Sequence, residues 1–277
     1  METITIRITK EVFDQAVPAA REPKGIIFDK LQKKIDNRIE DIAEDRLGDT
    51  GIIEVNGDPE GRLAMRLMEL ACVDVFLHEM RNMDLVLTPT GFGVVSTNET
   101  APASKIRVDA LDGELRVKWL MLSDDLLELC FKLEGWYRQG LVIIDTLFCD
   151  FKFLKAYAGM QAPLAKDWET ASAAILACDR FLREKISDEF MDELIEGMAS
   201  SSLTTEERGV VHQIRRTIGA AIQGNEQLKD EYFRRLMNTL EQNLDDFPTY
   251  MNSEAFEANH FKHYENHAED SAFHFCG

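Results

Sequence analysis

The strongest constraint on the fold is an apolar repeat that runs through the last third of the chain. Between residues 168 and 247, apolar residues recur every three or four positions, the spacing of one face of an α-helix. The repeat is interrupted over 200–205, where Thr204 and Glu207 have the spacing of a helix capping box. Because this connection is short, we predict two long antiparallel helices, 168–198 and 205–247, the second bent at Gly224. The residues predicted to face the core are Ile175, Phe181, Leu182, Ile186, Phe190, Leu194, Val211, Ile214, Ile218, Leu228, Tyr232, Leu236, Leu240 and Leu244.

The first 165 residues combine helical spacing with short β-like segments. Residues 3–9 alternate between polar and apolar, which predicts a half-buried strand. Asn56 and Gly57 favour a short strand or hairpin arm over 51–61. Apolar spacing predicts helices over 26–47, 59–82 and 104–135, the last one interrupted near Gly113. The aromatic-rich segment 140–160 is compatible with a helix or with a mixture of buried strand and helix.

Together these patterns predict a mainly α fold with a minor β component. We expect a helical bundle in which residues 1–165 form a helical region with β arms and residues 166–247 form a long antiparallel helical hairpin packed on it. Residues 248–277 follow Pro248, are rich in aromatic residues and histidine, and show little periodicity, so we predict an extended C-terminal tail. One compact domain followed by a tail is the expected organisation.

The segment 84–105, DLVLTPTGFGVVSTNETAPASK, differs from the charged, helical rest of the chain. Gly91 and Gly93 come close to a G-x-G-x-x-G dinucleotide motif, but that motif requires a helix that begins at the glycines. Here β-like residues continue and Pro102 follows. We therefore interpret the segment as a β-hairpin or extended arm, and Ser104 as the N-cap of the next helix instead of a catalytic serine.

Composition argues against several classes of protein. Fifty acidic and 31 basic residues give a net charge of −19, and such a surface repels the phosphates of nucleic acid. No apolar run is long enough to span a membrane, and the N-terminus does not have the pattern of a secretory signal. The five cysteines are scattered and form no CxxC pair, so we expect small buried thiols and a reducing, cytosolic environment.

An acidic run in the last third of the chain contains residue types that bind metals. Glu189, Asp192, Glu193 and Glu196 lie about one helical turn apart, but the Glu-x-x-His spacing of di-iron bundles is absent. The acids alternate with apolar residues, which is typical of a solvated helix face.

A histidine cluster near the C-terminus is a second possible metal site. His260, His263 and His267 would share one face of a helix, but no cysteine or carboxylate completes a zinc pattern. The motifs HExxH and GxSxG and the phosphate-binding P-loop are absent as well. We therefore predict no metal, no cofactor and no catalytic residue, and we do not expect an enzyme.

Two blocks of sequence resemble a known family. Residues 87–111, LTPTGFGVVSTNETAPASKIRVDAL, and 249–277, TYMNSEAFEANHFKHYENHAEDSAFHFCG, together cover about a fifth of the chain. They resemble uncharacterised proteins of Bacteroidetes phages and prophages, which are similar to virion proteins of the neck. The resemblance implies a structural head–tail connector or ring adaptor that links the portal to the tail and forms part of the conduit for packaging and ejecting DNA.

The resemblance also implies partners and a location. The expected partners are copies of the same chain in a ring, expected to be a dodecamer, together with the portal protein and tail or further neck proteins. Double-stranded DNA would pass through the lumen without specific binding, because an acidic wall lets it slide. The protein would be located in the neck or tail region of the virion, after assembly in the cytoplasm of the bacterial host, with no contact with a membrane.

In this role the segment 84–105 and the C-terminal tail would be interaction arms. We predict that six tail aromatics are not buried in their own subunit: Tyr250, Phe256, Phe261, Tyr264, Phe273 and Phe275. The residues expected to bind partners are Pro89, Gly91, Phe92, Gly93, Val95, Phe273 and Phe275. Two alternatives remain: a cytosolic enzyme or ligand-binding protein whose site the sequence does not reveal, and a host adaptor protein built of helices.

Overall fold

The computed structural model describes residues 2–83, 85–88, 91–94, 105–136 and 144–260, with the backbone alone for 85–88 and 91–94. The mainly helical fold predicted from the sequence is confirmed. Over the described ranges, no helix is both long enough and apolar enough to cross a bilayer.

The N-terminal half consists mainly of helices. Its helices are α1 (Lys10–Ala16), α2 (Ile26–Ile42), α3 (Gly48–Gly57), α4 (Arg62–Glu79) and α5 (Lys105–Cys130). A 3-10 turn at Pro18–Ala20 follows α1, and a π-helical turn at Ala43–Leu47 links α2 to α3. Between α4 and α5, strands β1 (Leu85–Thr88) and β2 (Gly91–Val94) pair in antiparallel fashion.

Over residues 144–260, the regular structure is entirely helical. Its helices are α6 (Phe153–Ala156), α7 (Ala165–Lys185), α8 (Asp188–Ala199), α9 (Thr205–Ile222), α10 (Glu226–Gln242), a 3-10 turn at Leu244–Asp246, α11 (Pro248–Met251) and α12 (Glu254–Asn259).

Buried side chains form two hydrophobic cores that meet at α5. The first core contains residues from Ile4 to Trp136, and the second contains residues from Ile144 to Tyr250. Leu127 and Phe131 of α5 pack against both cores. The proposed division of the chain at residue 165 stays a prediction, because the two cores share this helix.

The prediction of a strand over 3–9 is wrong, although its alternation is correct. Ile4, Ile6 and Ile8 are buried, but the segment is not part of a sheet. Side chains bind its backbone instead. Asn56 Oδ1 accepts from Thr5 N at 2.9 Å and Asn56 Nδ2 donates to Thr3 O at 2.9 Å, while Asp36 Oδ1 accepts from Ile8 N at 2.9 Å. These bonds satisfy backbone groups that a neighbouring strand would otherwise bind.

The prediction of a strand or hairpin arm over 51–61 is also wrong. Residues Gly48–Gly57 form α3, which buries Ile52 and Val55, three positions apart, in the first core. Asn56 lies on this helix and binds the N-terminal segment through its side chain, so Asn56-Gly57 does not form a hairpin turn. Tertiary burial outweighs the local turn preference here.

The predicted pair of long helices consists of four shorter ones. The first breaks at Ser187, whose hydroxyl accepts from Phe190 N at 3.0 Å and caps α8. The second breaks at Gly224, which adopts a left-handed φ of +66° between α9 and α10. Glycine therefore ends the helix in this position, where we predicted a bend.

Helices α9 and α10 are the antiparallel neighbours of the structure. Arg216 lies over the ring of Tyr232 at 5.4 Å, and farther from the turn Gln213 Nε2 donates to Thr239 Oγ1 at 3.0 Å. The capping box of α9 is confirmed, since Thr204 Oγ1 accepts from Glu207 N and Glu207 Oε2 accepts from Thr204 N. Between them, α9 and α10 bury Val211, Ile214, Ile218, Leu236 and Leu240, as predicted.

The segment predicted as a helix or a strand–helix mixture is mostly irregular where it is described, over 144–160. Its regular element is the single turn α6. Ile144, Leu147, Phe148, Phe151 and Leu154 are nevertheless buried in the second core. The aromatic content predicted that these side chains are buried, but it did not predict the irregular conformation of the backbone.

The prediction of an extended tail from residue 248 is wrong over its first twelve residues. These residues form α11 and α12, Tyr250 is fully buried, and the ring of Phe256 lies 5.4 Å from the ring of Tyr250. Ser253 Oγ donates to Ile186 O at 3.4 Å, which attaches the segment to the end of α7. The other tail aromatics, Phe261, Tyr264, Phe273 and Phe275, lie outside the described residues.

We predict that Leu236→Ala lowers the free energy of unfolding by about 2–5 kcal/mol, because its fully buried side chain leaves a cavity between α9 and α10. Urea denaturation of the purified variant measures this loss. Leu176→Ala is the matched control, since Leu176 on α7 is about half exposed and its loss should change stability little. Equal stability of Leu236→Ala and the wild type would contradict the assignment of this core.

Candidate functional site

The residues predicted to bind partners are described only in part. Gly91, Phe92 and Gly93 belong to the backbone of β2. The other four, Pro89, Val95, Phe273 and Phe275, lie outside the described residues. The predicted N-cap Ser104 also lies outside them. The role of the two predicted arms stays a prediction, because most of their residues lie outside the described ranges.

The acidic run is engaged by an arginine. Arg183 Nε donates to Asp179 Oδ2 at 3.0 Å, and its Nη1 donates to Asp192 Oδ1 at 2.8 Å, which links α7 to α8. Among the described residues, no three metal-binding side chains come together. At the other predicted cluster, the ring of His260 stacks on Phe256 at 4.0 Å, while His263 and His267 lie outside the described ranges.

The most distinctive chemistry lies where the two cores meet. Asp124 of α5 is only 5% exposed. Its Oδ1 accepts from Phe151 N at 3.1 Å and its Oδ2 accepts from Lys152 N at 3.0 Å. Both amides precede α6, so this carboxylate holds the irregular 144–152 segment against α5 and satisfies two backbone donors that would otherwise be buried without partners.

A second buried carboxyl group accompanies it. Asp150 is 7% exposed, and its Oδ1 has no hydrogen-bond partner within the described residues. Burial raises the pKa of Asp124 to about 7, with a further contribution from the charge of Asp150. Burial likewise raises the pKa of Asp150 to about 6, and the charge of Glu128 adds to it.

The basic residues near these carboxyl groups are bound to other partners. Lys152 Nζ pairs with Asp125 at 2.7 Å and Glu128 at 2.9 Å. Arg215 Nε donates to Leu147 O at 2.8 Å, and its guanidinium lies 4.2 Å above the ring of Phe153. Both cations lower the pKa of Asp150, but burial outweighs them.

An aromatic cavity of about 210 Å³ adjoins Asp124. The cavity is lined by all three tryptophans of the chain, Trp119, Trp136 and Trp168. Arg46, Ser123 and Cys149 also line it. The Arg46 guanidinium lies 5.6 Å from the centre of the Trp119 ring, and the Arg46 carbonyl accepts from Trp136 Nε1 at 3.0 Å. Trp119 Nε1 and Ser123 Oγ are buried without partners in the described part of the chain.

The chemistry available at this junction is proton exchange. A carboxyl group with a pKa near 7 changes its charge around neutral pH, as a general acid or a pH-sensitive contact does. Cys149 is unsuited to act as a nucleophile, because burial raises the pKa of its thiol to about 12 and keeps it protonated at neutral pH.

Sequence analysis missed Asp124 although a signal existed. Asp124 follows Leu120 by four residues and precedes Leu127 by three, so it lies on the helical face that packs against the second core. An acid on an apolar helical face requires buried partners, and its backbone partners, Phe151 and Lys152, lie 27 and 28 residues away. Asp150 gave no comparable signal, because the surrounding segment has no regular periodicity.

Comparison with known proteins gives one match. A model described as a family of unknown function (DUF6712) matches residues 61–130 and 215–260, which together make up less than half of the chain. The first match spans α4, the β-hairpin and α5, and the second extends from the end of α9 through α12. No curated protein and no solved structure matches the chain. The chain is thus similar to this family over the helices that flank the hairpin and over the end of the second core.

We predict that Asp150→Asn raises the free energy of unfolding at pH 8 by on the order of 1–2 kcal/mol. The folded pKa of about 6 lies above the ordinary value of 3.8, so the folded state binds this proton more tightly. Stability from this group is therefore greatest at low pH and falls as the pH rises from about 4 to about 6. The advantage of the variant should be much smaller at pH 4.5, as measured by urea denaturation at both pH values.

Asp145→Asn is the control for this experiment, because Asp145 is an exposed aspartate five residues away in the same segment. Comparing variants at each pH removes the contribution of other titrating groups, such as His212, whose pKa is lowered mainly by burial. A loss of stability in Asp150→Asn at pH 8 would mean that the charged carboxylate stabilises the fold, contrary to this account.

Proposed function

We propose that the protein is a structural component of a phage virion, a head–tail connector or neck ring protein that links the portal to the tail. The observation that carries the proposal is the uncharged segment that separates helices α4 and α5. Between α4 and α5 lies an antiparallel β-hairpin inside a stretch, 85–98, that contains no charged residue, although 29% of the chain is charged. This stretch falls largely within the first block that resembles phage neck proteins.

A ring subunit needs a rigid body and segments that reach its neighbours. The body is present as two hydrophobic cores joined by α5. A two-stranded hairpin is marginally stable by itself and gains stability from a further strand or surface. The hairpin and the residues beyond 260 are the segments we assign to contacts with other copies, with the portal and with tail or further neck proteins.

The charge of the chain supports a role at a DNA conduit. A net charge of −19 gives the assembled ring a strongly negative field. Such a wall repels the phosphates of double-stranded DNA, so the DNA passes through the lumen without being held. This property suits a ring in the neck of the virion, assembled in the cytoplasm of the bacterial host.

The junction of the two cores favours an alternative, a cytosolic enzyme or ligand-binding protein. Buried carboxyl groups with raised pKa values beside an aromatic cavity are a common feature of active sites. In the connector, the same residues attach the second core to α5. The two functions differ in what Asp150→Asn does: a connector carrying it still enters the particle, whereas an enzyme using this carboxyl group loses activity.

Immunogold electron microscopy of particles of the phage that encodes the protein tests the proposal. Antibodies raised against the purified protein should label the vertex where the tail joins the head, because the neck ring is located there. Serum depleted of these antibodies is the control. Particles without label, or with label spread over the capsid surface, would contradict the neck assignment.

The role of the tail requires a truncation chosen from the structure. Removal of residues from 248 onward would delete the buried Tyr250, so the informative variant lacks 261–277 only. We predict that this variant keeps the thermal stability of the wild type but is not incorporated into particles, because Phe273 and Phe275 anchor the tail on another chain. Circular dichroism measures stability and immunoblotting of purified particles measures incorporation. Normal incorporation would show that the tail is not an anchor.

A further inference from the structure

Helix α5 carries an apolar stripe that the fold covers only in part, since Val117 packs against the second core while both ends are exposed. Ile106, Ala110, Gly113, Val117 and Met121 follow one another at intervals of three or four residues, so they line one side of the helix. Ile106 is 82% exposed and Met121 is 47% exposed. The stripe is about 22 Å long, at a rise of 1.5 Å for each residue.

The stripe forms one wall of a groove of about 680 Å³. The opposite wall comes from Phe151 and from the loop that leads into α7, where Pro163 is partly exposed and Leu164 is 47% exposed. Charged residues also line the groove: Asp109 and Glu114 on α5, and Lys152 and Lys155 across from it. The groove is therefore mainly apolar and carries charges of both signs.

Gly113 leaves open space in the wall of this groove. A glycine inside a helix lowers helix stability relative to alanine, and packing is the usual compensation. A Cβ atom added at Gly113 would meet nothing within 4 Å, so the described part of the chain gives no packing reason for a glycine. A missing side chain at this point allows close approach of a backbone from outside the subunit.

We infer that this groove receives the paired strands β1 and β2 of a second copy of the chain. The inference deepens the ring function proposed above and rests on it. The hairpin suits the groove because the stretch 85–98 carries no charge to desolvate. Its register sets Leu85 opposite Val94 and Leu87 opposite Phe92, and alternation along the strands assigns these four apolar positions to the same side of the hairpin.

The contact would generate a ring. Each subunit has one hairpin and one groove, and the two are formed by different residues, so the interface would be heterologous. If the hairpin of each subunit enters the groove of the next and the rotation closes, every hairpin and every groove is used. The hairpin and the α5 wall of the groove lie within the first segment that matches the family of unknown function, whereas the opposite wall lies outside it.

Two variants that are defective on opposite sides of the contact test the inference. Phe92→Asp places a charge on the hairpin, and Met121→Asp places one in the groove. Each variant alone should sediment as a monomer in analytical ultracentrifugation. An equimolar mixture should form a heterodimer and nothing larger, because the intact hairpin of one variant can bind the intact groove of the other. Leu176→Asp, on an exposed part of α7 outside the groove, should assemble as the wild type does.

A substitution without charge provides an independent test. Gly113→Ala should raise Tm by roughly 2–4 °C, because alanine favours the helix. The same substitution should weaken assembly about tenfold or more, because the new methyl group occupies the place of the approaching backbone. Gly209→Ala is the matched control: Gly209 lies inside α9 and also has open space at its Cβ position, so it should raise Tm without affecting assembly.

The outcomes distinguish this inference from the proposed function. A mixture that stays monomeric, or wild-type assembly in Gly113→Ala, would overturn the hairpin-in-groove contact. Neck labelling in particles would then still support the connector, with another interface. Conversely, a heterodimer in the mixture together with unlabelled particles would support the contact and contradict the location in the virion.

Discussion

The structure depends on one helix that must pack against two hydrophobic cores. Leu115, Leu122 and Leu126 of α5 are buried in the first core, while Leu120 and Leu127 contact the second. Each core is formed mostly by residues close in sequence, and α5 is where they join. The apolar surface of α5 also extends beyond these two faces to the exposed Ile106 and Met121, which is unusual in a chain with a net charge of −19.

The joint between the cores is polar as well as apolar. Asp124 reaches from α5 into the second core and accepts two backbone hydrogen bonds there, which fixes the position of an irregular segment. Its neighbour Asp150 is buried without a partner for one oxygen atom, so the charge of this pair destabilises the fold at neutral pH. A protein that keeps such a pair at the joint between its two halves has a contact whose strength depends on pH.

The sequence predicted the helices well where burial follows a regular period. Leu236 and Leu240 were assigned to the core from spacing alone, and both are fully buried. The errors arise where a side chain replaces a backbone partner. Ile4, Ile6 and Ile8 alternate like a strand, but Asn56 and Asp36 bind the segment, and periodicity contains no information on such distant hydrogen bonds. Ser187 and Gly224 divide the predicted long helices because capping and left-handed geometry outweigh a continuing apolar repeat.

The candidate sites were harder to predict from the sequence than the fold was. A β-hairpin or extended arm was predicted from Pro89 and the glycines. The groove beside α5 could not be predicted, because Phe151 and Leu164 join α5 only in three dimensions. Asp124 and Asp150 came together for the same reason. The similarity to a family of unknown function covers the hairpin and its flanking helices, so this region is the one in which a shared role is to be sought.

The central claim is that the chain is the subunit of a closed ring built from heterologous contacts. Native mass spectrometry of the wild-type protein, with negative-stain images of the same sample, tests it most directly. The account predicts closed rings with a central opening and a mass that is an integral multiple of 31.6 kDa, twelve-fold for the expected dodecamer. A monomer at every concentration, or a dimer with two-fold symmetry, would contradict it.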